Sequence, residues 1–444
     1  MAEALRTIEP RAADTLVKPA WEDYARCVHC GLCLNHCPTY RLWGMEADSP
    51  RGRIRQMLLV SEGKLALGPT YVTHIDRCLD CRACETVCPS GVEYGQLVEA
   101  ARAEIEQEYR RPLLARWARE LFFRRMLPHP RRIAAFARVL RIYQRSGLQT
   151  LARGSGILRL LGLAEREALL PEIDGDFFFS RLGQTFPAQG PRRARVALFA
   201  GCVAQVTFAR LNEATIRVLT ANGCEVVVPA SQRCCGALAV HAGVRDVAQS
   251  LARTNLDAFL PGEFDAVITN AAGCGSTLKE YSHLFPAASP EHEQAQAFSA
   301  RTKDVTEFLA ELGVVAPLRE LPLRVTYQDS CHLVHGQKIR EAPRKLIRAI
   351  PGVELVEMPL ADHCCGSAGI YNVTQTEASL ALLKEKMECA QSTGAQAIVT
   401  ANPGCILQLR AGTKLHASTS LRAGRTGQEV LHVVELLARA IAGH

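Results

Sequence analysis

Hydrophobic and polar positions change their period along this 444-residue chain, and the changes mark its parts. Ser49-Pro50-Arg51-Gly52 offers a helix N-cap followed by proline at the first helical position, which predicts a helix from about Pro50 to Glu62. A second helix is predicted from Glu93 to Gln107. Between Arg110 and Leu160, Arg alternates with Leu, Phe, Ile and Trp117 at helical spacing, so two basic amphipathic helices broken at Pro128 and Pro130 are expected. Pro187, Gly190 and Pro191 mark a linker. Beyond it the period shortens. RVALFAGC, CEVVVPASQRCC and DAVITNAAGC are short β-branched runs, each leading through a cysteine loop into a helix. Such strand–loop–helix units imply a parallel sheet with right-handed crossovers.

That unit occurs twice. Cys202, Cys234-Cys235-Gly236 and Cys274 recur as Cys331, Cys364-Cys365-Gly366 and Cys405, at offsets of 129, 130 and 131 residues. FDAVITNAAGCGSTL matches AQAIVTANPGCILQL, and ANGCEVVVPASQRCCGA matches IPGVELVEMPLADHCCGS, so a duplication is inferred. Each motif cysteine falls beyond the carboxyl end of a strand, where open α/β sheets bind ligands and the following helix N-termini favour an anionic group. Four thiolates can therefore converge in each copy. The alternatives for each adjacent pair are small buried hydrophobes or a strained vicinal disulfide. Cys224 and Cys389 lie outside the repeats and read as packing residues. His332, His335, Tyr371 and Asn372 decorate only the second copy.

The strongest chemical signal lies near the N-terminus. Cys27-x2-Cys30-x2-Cys33-x3-Cys37-Pro38 is followed by Cys78-x2-Cys81-x2-Cys84-x3-Cys88-Pro89. Thiolates at these spacings converge on a cube of iron and sulfide, whereas a zinc site would show two separated pairs. The proline turns the chain out of the cluster loop. In two-cluster ferredoxins the fourth cysteine serves the other cube, which assigns Cys27, Cys30, Cys33 and Cys88 to one [4Fe-4S] cluster and Cys78, Cys81, Cys84 and Cys37 to the second. Val28, Leu32 and Leu34 in the first run, with Leu79, Ala83 and Val87 in the second, are expected to form a dry shell. His29 and His36 read as shell residues.

Composition narrows the class. Nearly half of the residues are apolar and 22% are charged, enough for several packed cores, while 6% aromatics provide no base-stacking platforms, so nucleic acid is not expected as a partner. Eighteen cysteines without an apolar signal core in Met1–Leu16 place the chain in a reducing cytoplasm. No apolar stretch reaches the ~18 residues that a spanning helix needs. The net charge of +7 is uneven, since Arg110–Leu160 holds thirteen Arg against the single acid Glu120. That segment reads either as a surface for anionic lipid at the inner face of the cytoplasmic membrane or for an acidic partner, or as a connector with a solvated face. The expected plan is an α+β multidomain chain: a mainly helical two-cluster ferredoxin-like domain (1–110), a basic helical linker (111–190), and two duplicated α/β cysteine-rich domains (191–318 and 319–444).

Taken together, CVHCGLCLNHCPTY, SPRGRI, DRCLDCRACETVCPSGVEYG and two cysteine repeats, the second holding HCCGSAGIY, resemble the iron–sulfur subunit of bacterial glycolate oxidase over essentially the whole chain. Iron–sulfur subunits of anaerobic glycerol-3-phosphate dehydrogenase and of heterodisulfide reductase share the plan. The resemblance implies a complex in which an FAD flavoprotein oxidises glycolate to glyoxylate and passes electrons through two [4Fe-4S] clusters to a quinone or similar acceptor. It also implies that the repeats are CCG domains able to hold further iron–sulfur clusters. The family pattern there ends in Cys-x-x-Cys, but Ala271 and Asn402 occupy the first of those positions. Four thiols per repeat remain, where the non-cubane cluster of heterodisulfide reductase uses five.

Absent motifs agree with electron carriage rather than substrate chemistry. Gly154-Ser155-Gly156 lacks the third glycine of a dinucleotide loop, and neither a nucleophile elbow nor H-E-x-x-H occurs. No catalytic residue is therefore expected on this chain. The competing readings are a lactate or glycerol-3-phosphate dehydrogenase subunit, a disulfide reductase, and a metal-stabilised scaffold without redox duty.

Overall fold

The computed structural model describes residues 19–173, 175–420 (backbone alone over 416–420) and 428–441. Met1–Leu16, read above as lacking a signal core, lies outside the described residues. The N-terminal part is helical throughout. Pro50–Ser61 and Tyr94–Glu108 match the two predicted helices to within a residue, and Ser49 Oγ accepts from the Gly52 amide as the cap requires. Helices Pro38–Trp43 and Pro69–Asp76, each with proline in its first turn, and the short helices Trp21–Ala25 and Ala83–Thr86 also belong to the module.

The basic segment departs from the two-helix expectation. Leu113–Arg119 runs on through a wider π-helical stretch, Glu120–Met126, and after the proline break come Pro130–Arg145, Leu148–Gly154 and Ile157–Leu160. Gly147 and Gly156, with φ of 85° and 74°, make the extra breaks that periodicity alone conceals. Many of its arginines also turn inward onto the protein: Arg111 pairs with Asp76, Arg119 with Glu106, and Arg124 with Asp246, while Arg138 and Arg141 stack on Phe177. Large apolar side chains face outward instead, with Leu113 80% and Trp117 65% exposed.

Each repeat builds a sheet. The first contains β1 (Thr185–Phe186), β2 (Ala194–Phe199), β3 (Cys224–Val227), β4 (Ala266–Thr269) and β5 (Thr302–Asp304), in the order β1-β3-β2-β4-β5. The second contains β6 (Leu323–Tyr327), β7 (Val353–Glu357), β8 (Ala397–Thr400) and β9 (Glu429–His432), in the order β7-β6-β8-β9. All pairings are parallel except β1 with β3. Strands β4 and β8 are buried along their full length, which is why they read as unbroken apolar runs. The short strands β5 and β9 add a fourth parallel member to each sheet beyond the three predicted.

The two repeats pack reciprocally. The helix after β2, Ala209–Ala221, lies against Val433–Ala440 after β9, and Val305–Leu312 after β5 lies against Glu341–Arg348 after β6. One apolar core results, drawing Leu198, Leu219 and Leu309 from the first repeat and Tyr327, Leu346 and Leu437 from the second. Cys224 is fully buried in that core. The ferredoxin-like module docks onto both repeats: Arg41 reaches His363 and Glu385 of the second, and Arg102 donates to His241 O of the first at 3.0 Å. Gly243, with φ of 80°, sits so close to the Arg102 carbonyl that any Cβ would collide with it.

Candidate iron–sulfur sites

Both ferredoxin runs fold into one backbone shape. His29 and Gly31 flank the second cysteine of the first run with φ of 56° and 88°, and Asp80 and Arg82 flank that of the second with 53° and 60°. Left-handed backbone costs roughly 1–2 kcal/mol at each non-glycine residue, and here it curls each loop around a point towards which the thiols turn. Cys27 has Cys30 and Cys88 as neighbours, while Cys37 joins Cys78 and Cys81 around Cys84. Cys37 also lies near Cys33, so the two quartets adjoin.

Burial separates the quartets. Cys30 is exposed and Cys27, Cys33 and Cys88 are half-buried, whereas Cys37, Cys78, Cys81 and Cys84 are 8% exposed or less. The first quartet is thus an outer site and the second an inner one. The expected dry shell is fuller at the inner site: Leu79 and Ala83 are buried and Val87 half-buried, whereas Leu34 is half-buried and Val28 is 66% and Leu32 57% exposed, because no domain among the described residues covers the first loop. Burial pushes the Cys33 thiol up to about 11 and those of Cys81 and Cys84 well above their usual value. Thiols so reluctant to ionise alone, and free of disulfides, fit a cationic metal centre that displaces their protons.

The inner site rests on the SPRGRI segment. Arg53 is buried beneath it, donating to Thr39 Oγ1 at 3.1 Å and pairing with Asp48 at 3.3 Å. Asp48 also holds His74 at 2.9 Å and Arg77 at 3.0 Å. Thr39 Oγ1 lies 3.2 Å from Cys37 Sγ, and the Asp80 amide and Tyr94 hydroxyl donate to Cys78 Sγ at 3.3 and 3.5 Å. Such donors stabilise sulfur charge and raise a reduction potential. Gly52 is required there because a Cβ would strike the Glu46 carbonyl.

In the first repeat Cys202 and Cys234 Sγ are 3.2 Å apart, as are Cys235 and Cys274. In the second, Cys331 pairs with Cys364 and Cys365 with Cys405. All four thiols of each copy therefore meet, and none forms a vicinal disulfide. Gly236 and Gly366, with φ of 86° and 87°, turn the chain directly after each pair. Cys274 and Cys405 sit in the first turns of helices Ala272–Lys279 and Pro403–Ser420 rather than in loops. Asn402 explains one missing cysteine: its amide donates to Cys405 Sγ at 3.4 Å and accepts from the Gly273 amide of the other repeat at 3.4 Å.

Sequence reasoning missed an ionic cluster between the domains. His241 Nδ1 lies 3.0 Å from Asp80 and 3.2 Å from Glu99, and Arg82 pairs with Glu99 at 3.2 Å and with Glu280. Burial alone would raise the Asp80 carboxyl, but His241, then Arg82 and Arg102, hold it well below the usual range. Burial would lower His241, yet Asp80 and Glu99 raise it to about 9. A charged residue between two ligand positions was the available signal, at Asp80 and Arg82. Of the residues peculiar to the second copy, His332 lies beside His241 with ring centroids 5.1 Å apart and planes tilted by 54°, His335 meets Thr86 at 2.8 Å, and Tyr371 packs with Cys81.

Two adjoining thiol quartets on a helical module, docked on a duplicated α/β pair, define a two-cluster ferredoxin fused to cysteine-rich domains. Matches to known families follow the same divisions: "4Fe-4S dicluster domain" over 23–92, "Glycolate oxidase iron-sulfur subunit, linker region" over 114–170, and "Cysteine-rich domain" over 196–279 and 325–410. The chain is 43% identical to the "Probable glycolate oxidase iron-sulfur subunit" of Bacillus subtilis (strain 168), covering 94% of both chains. It is 34% identical to the glycolate oxidase iron-sulfur subunit of Escherichia coli (strain K12), covering 94% of this chain and 93% of that one. Lactate utilization protein A of Oceanobacillus iheyensis matches at 32% over 55% of this chain and 96% of its own. The chain belongs to the glycolate oxidase iron–sulfur subunit family, is an iron–sulfur protein with two [4Fe-4S] clusters, and serves an oxidoreductase complex in electron transfer. Among the described residues no helix is long and apolar enough to cross a membrane.

Proposed function

We propose that this chain carries electrons within a glycolate oxidase complex, from a partner FAD flavoprotein that oxidises glycolate to glyoxylate, to a quinone or similar acceptor. The observation that carries the reading is the pair of adjoining quartets, one reaching solvent at Cys30 and the other enclosed. A bound [4Fe-4S] cluster supplies one-electron storage with its charge spread over iron and sulfide. Cys27, Cys30, Cys33 and Cys88 hold the outer cluster, and Cys37, Cys78, Cys81 and Cys84 the inner one. Cys202, Cys234, Cys235 and Cys274, and Cys331, Cys364, Cys365 and Cys405, offer two further cluster sites. Oxidation of glycolate to glyoxylate would release two electrons and two protons on the partner; this chain would accept the electrons singly, and the protons would leave to solvent.

The domain limits that accompany this reading are 1–110, 111–190, 191–318 and 319–444, with β1 contributed to the first repeat's sheet from the end of the linker. The linker match over 114–170 and similarity over nearly the whole chain favour glycolate above lactate as the donor. The Arg-rich segment, with Leu113 and Trp117 projecting from it, is the surface that would rest on the inner face of the cytoplasmic membrane. Purified with its flavoprotein, the chain should relay electrons from glycolate to a quinone or dye. A flavoprotein that reduces the quinone equally fast by itself would remove the relay role.

A further inference from the structure

We infer that an electron leaving the inner ferredoxin site enters the second cysteine repeat rather than the first, so the duplicated domains have separate duties. This rests on the electron-carrying reading above and adds its route. Cys81 of the inner quartet shares one apolar cluster with Cys331 and Cys364 of the second repeat, closed by Leu79 and Tyr371. Cys81 and Cys364 stand near enough for charge on one to act on the other. The thiols on both sides of this contact are 8% exposed or less. A dry, packed junction keeps two centres close and leaves little solvent to reorganise when charge moves.

The approach to the first repeat is different in kind. His241, Asp80, Glu99, Arg82 and Glu280 stand between the inner quartet and that repeat as an ionic cluster, with Asp80 and Arg82 buried and the other three half-buried. Its thiols belong to a separate core, with Cys202 and Cys274 partly open to solvent. The step itself is simple: one electron leaves the reduced inner centre, which is thereby oxidised, and the centre in the second repeat is reduced. No bond breaks and no proton moves.

The full chain, prepared anaerobically and reduced stepwise with dithionite, tests the route without flavoprotein or glycolate. Paramagnetic resonance should show the inner-cluster signal broadened by a neighbouring spin. Cys364→Ser should lower bound iron by one cluster's complement and narrow the signal to the width that the adjoining outer cluster alone causes, whereas Cys234→Ser should lower iron equally and leave the broadening as it was. Cys405→Ser and Cys274→Ser repeat the contrast should either variant fail to fold. Broadening that loss of the second repeat's centre leaves unchanged, or that loss of the first repeat's centre reduces, overturns the route, as does iron content unchanged by Cys364→Ser. Because no partner takes part, a failed glycolate assay and a failed route remain distinguishable.

Discussion

The two cysteine repeats share strand order, thiol placement and a left-handed glycine, yet their surroundings differ. Strand β1 pairs antiparallel with β3 and covers that side of the first sheet, while among the described residues the matching β7 of the second is an edge strand. Conversely, the thiols of the second repeat are all buried, Cys331 and Cys364 of them against the ferredoxin-like module, and two of the first repeat's are partly open. Docking after duplication, rather than the repeat's own fold, decides the polarity around each site. Equivalent ligands can then acquire different potentials, because burial and hydrogen bonds to sulfur set them.

The contrast depends first on the rigidity of the inner site that faces the second repeat. Arg53→Ala would take the one fully buried guanidinium from Asp48, which keeps His74 and Arg77, and should cost about 3 kcal/mol in chemical denaturation. The same variant should lower the inner cluster's midpoint potential, since a positive charge beneath Cys37 and Cys78 is lost. An unchanged potential would mean that the guanidinium serves packing alone.

Gly366→Ala and Gly236→Ala compare the repeats directly. Both glycines need a left-handed conformation, but a Cβ at 366 presses on the Ser379 backbone, whereas at 236 it meets Ala248 at ordinary contact. The second-repeat variant should lose roughly 2 kcal/mol or more and the first-repeat variant roughly 1 kcal/mol. Equal losses in thermal unfolding would show that the second repeat is no more tightly enclosed.

The ionic junction on the first repeat should respond to pH. His241 has its folded value raised to about 9 from 6.5, so its contribution is complete below about 6.5 and is lost as pH rises through 9. The thermal midpoint should therefore fall between pH 7 and pH 9.5, and His241→Asn should flatten that fall. The smallest effect is expected at Cys224, buried in β3 away from every quartet. Cys224→Ala should cost about 1 kcal/mol and leave iron content unaltered.

Much of this was legible in one dimension. The spacing of each cysteine run is a local constraint, and the SPRGRI cap and the long amphipathic helix at Tyr94–Glu108 announce themselves within a dozen or so residues. Strands β2, β4 and β8 were legible because central parallel strands are continuously apolar. Strands β5 and β9 were not: Thr302–Asp304 is three polar residues whose pairing with β4 is imposed by the sheet. Val28 and Leu32 were read as shell because apolar residues beside ligands usually are, but no domain among the described residues covers them.

By itself the sequence determined the ligand chemistry, the duplication and the family, since each is written in residue type and spacing along the chain. Only the tertiary structure decided that the inner quartet meets Cys364 through apolar packing and the first repeat through His241 and Asp80. Those partners are far apart in the chain and carry no shared period, so their meeting follows from how folded surfaces bury one another.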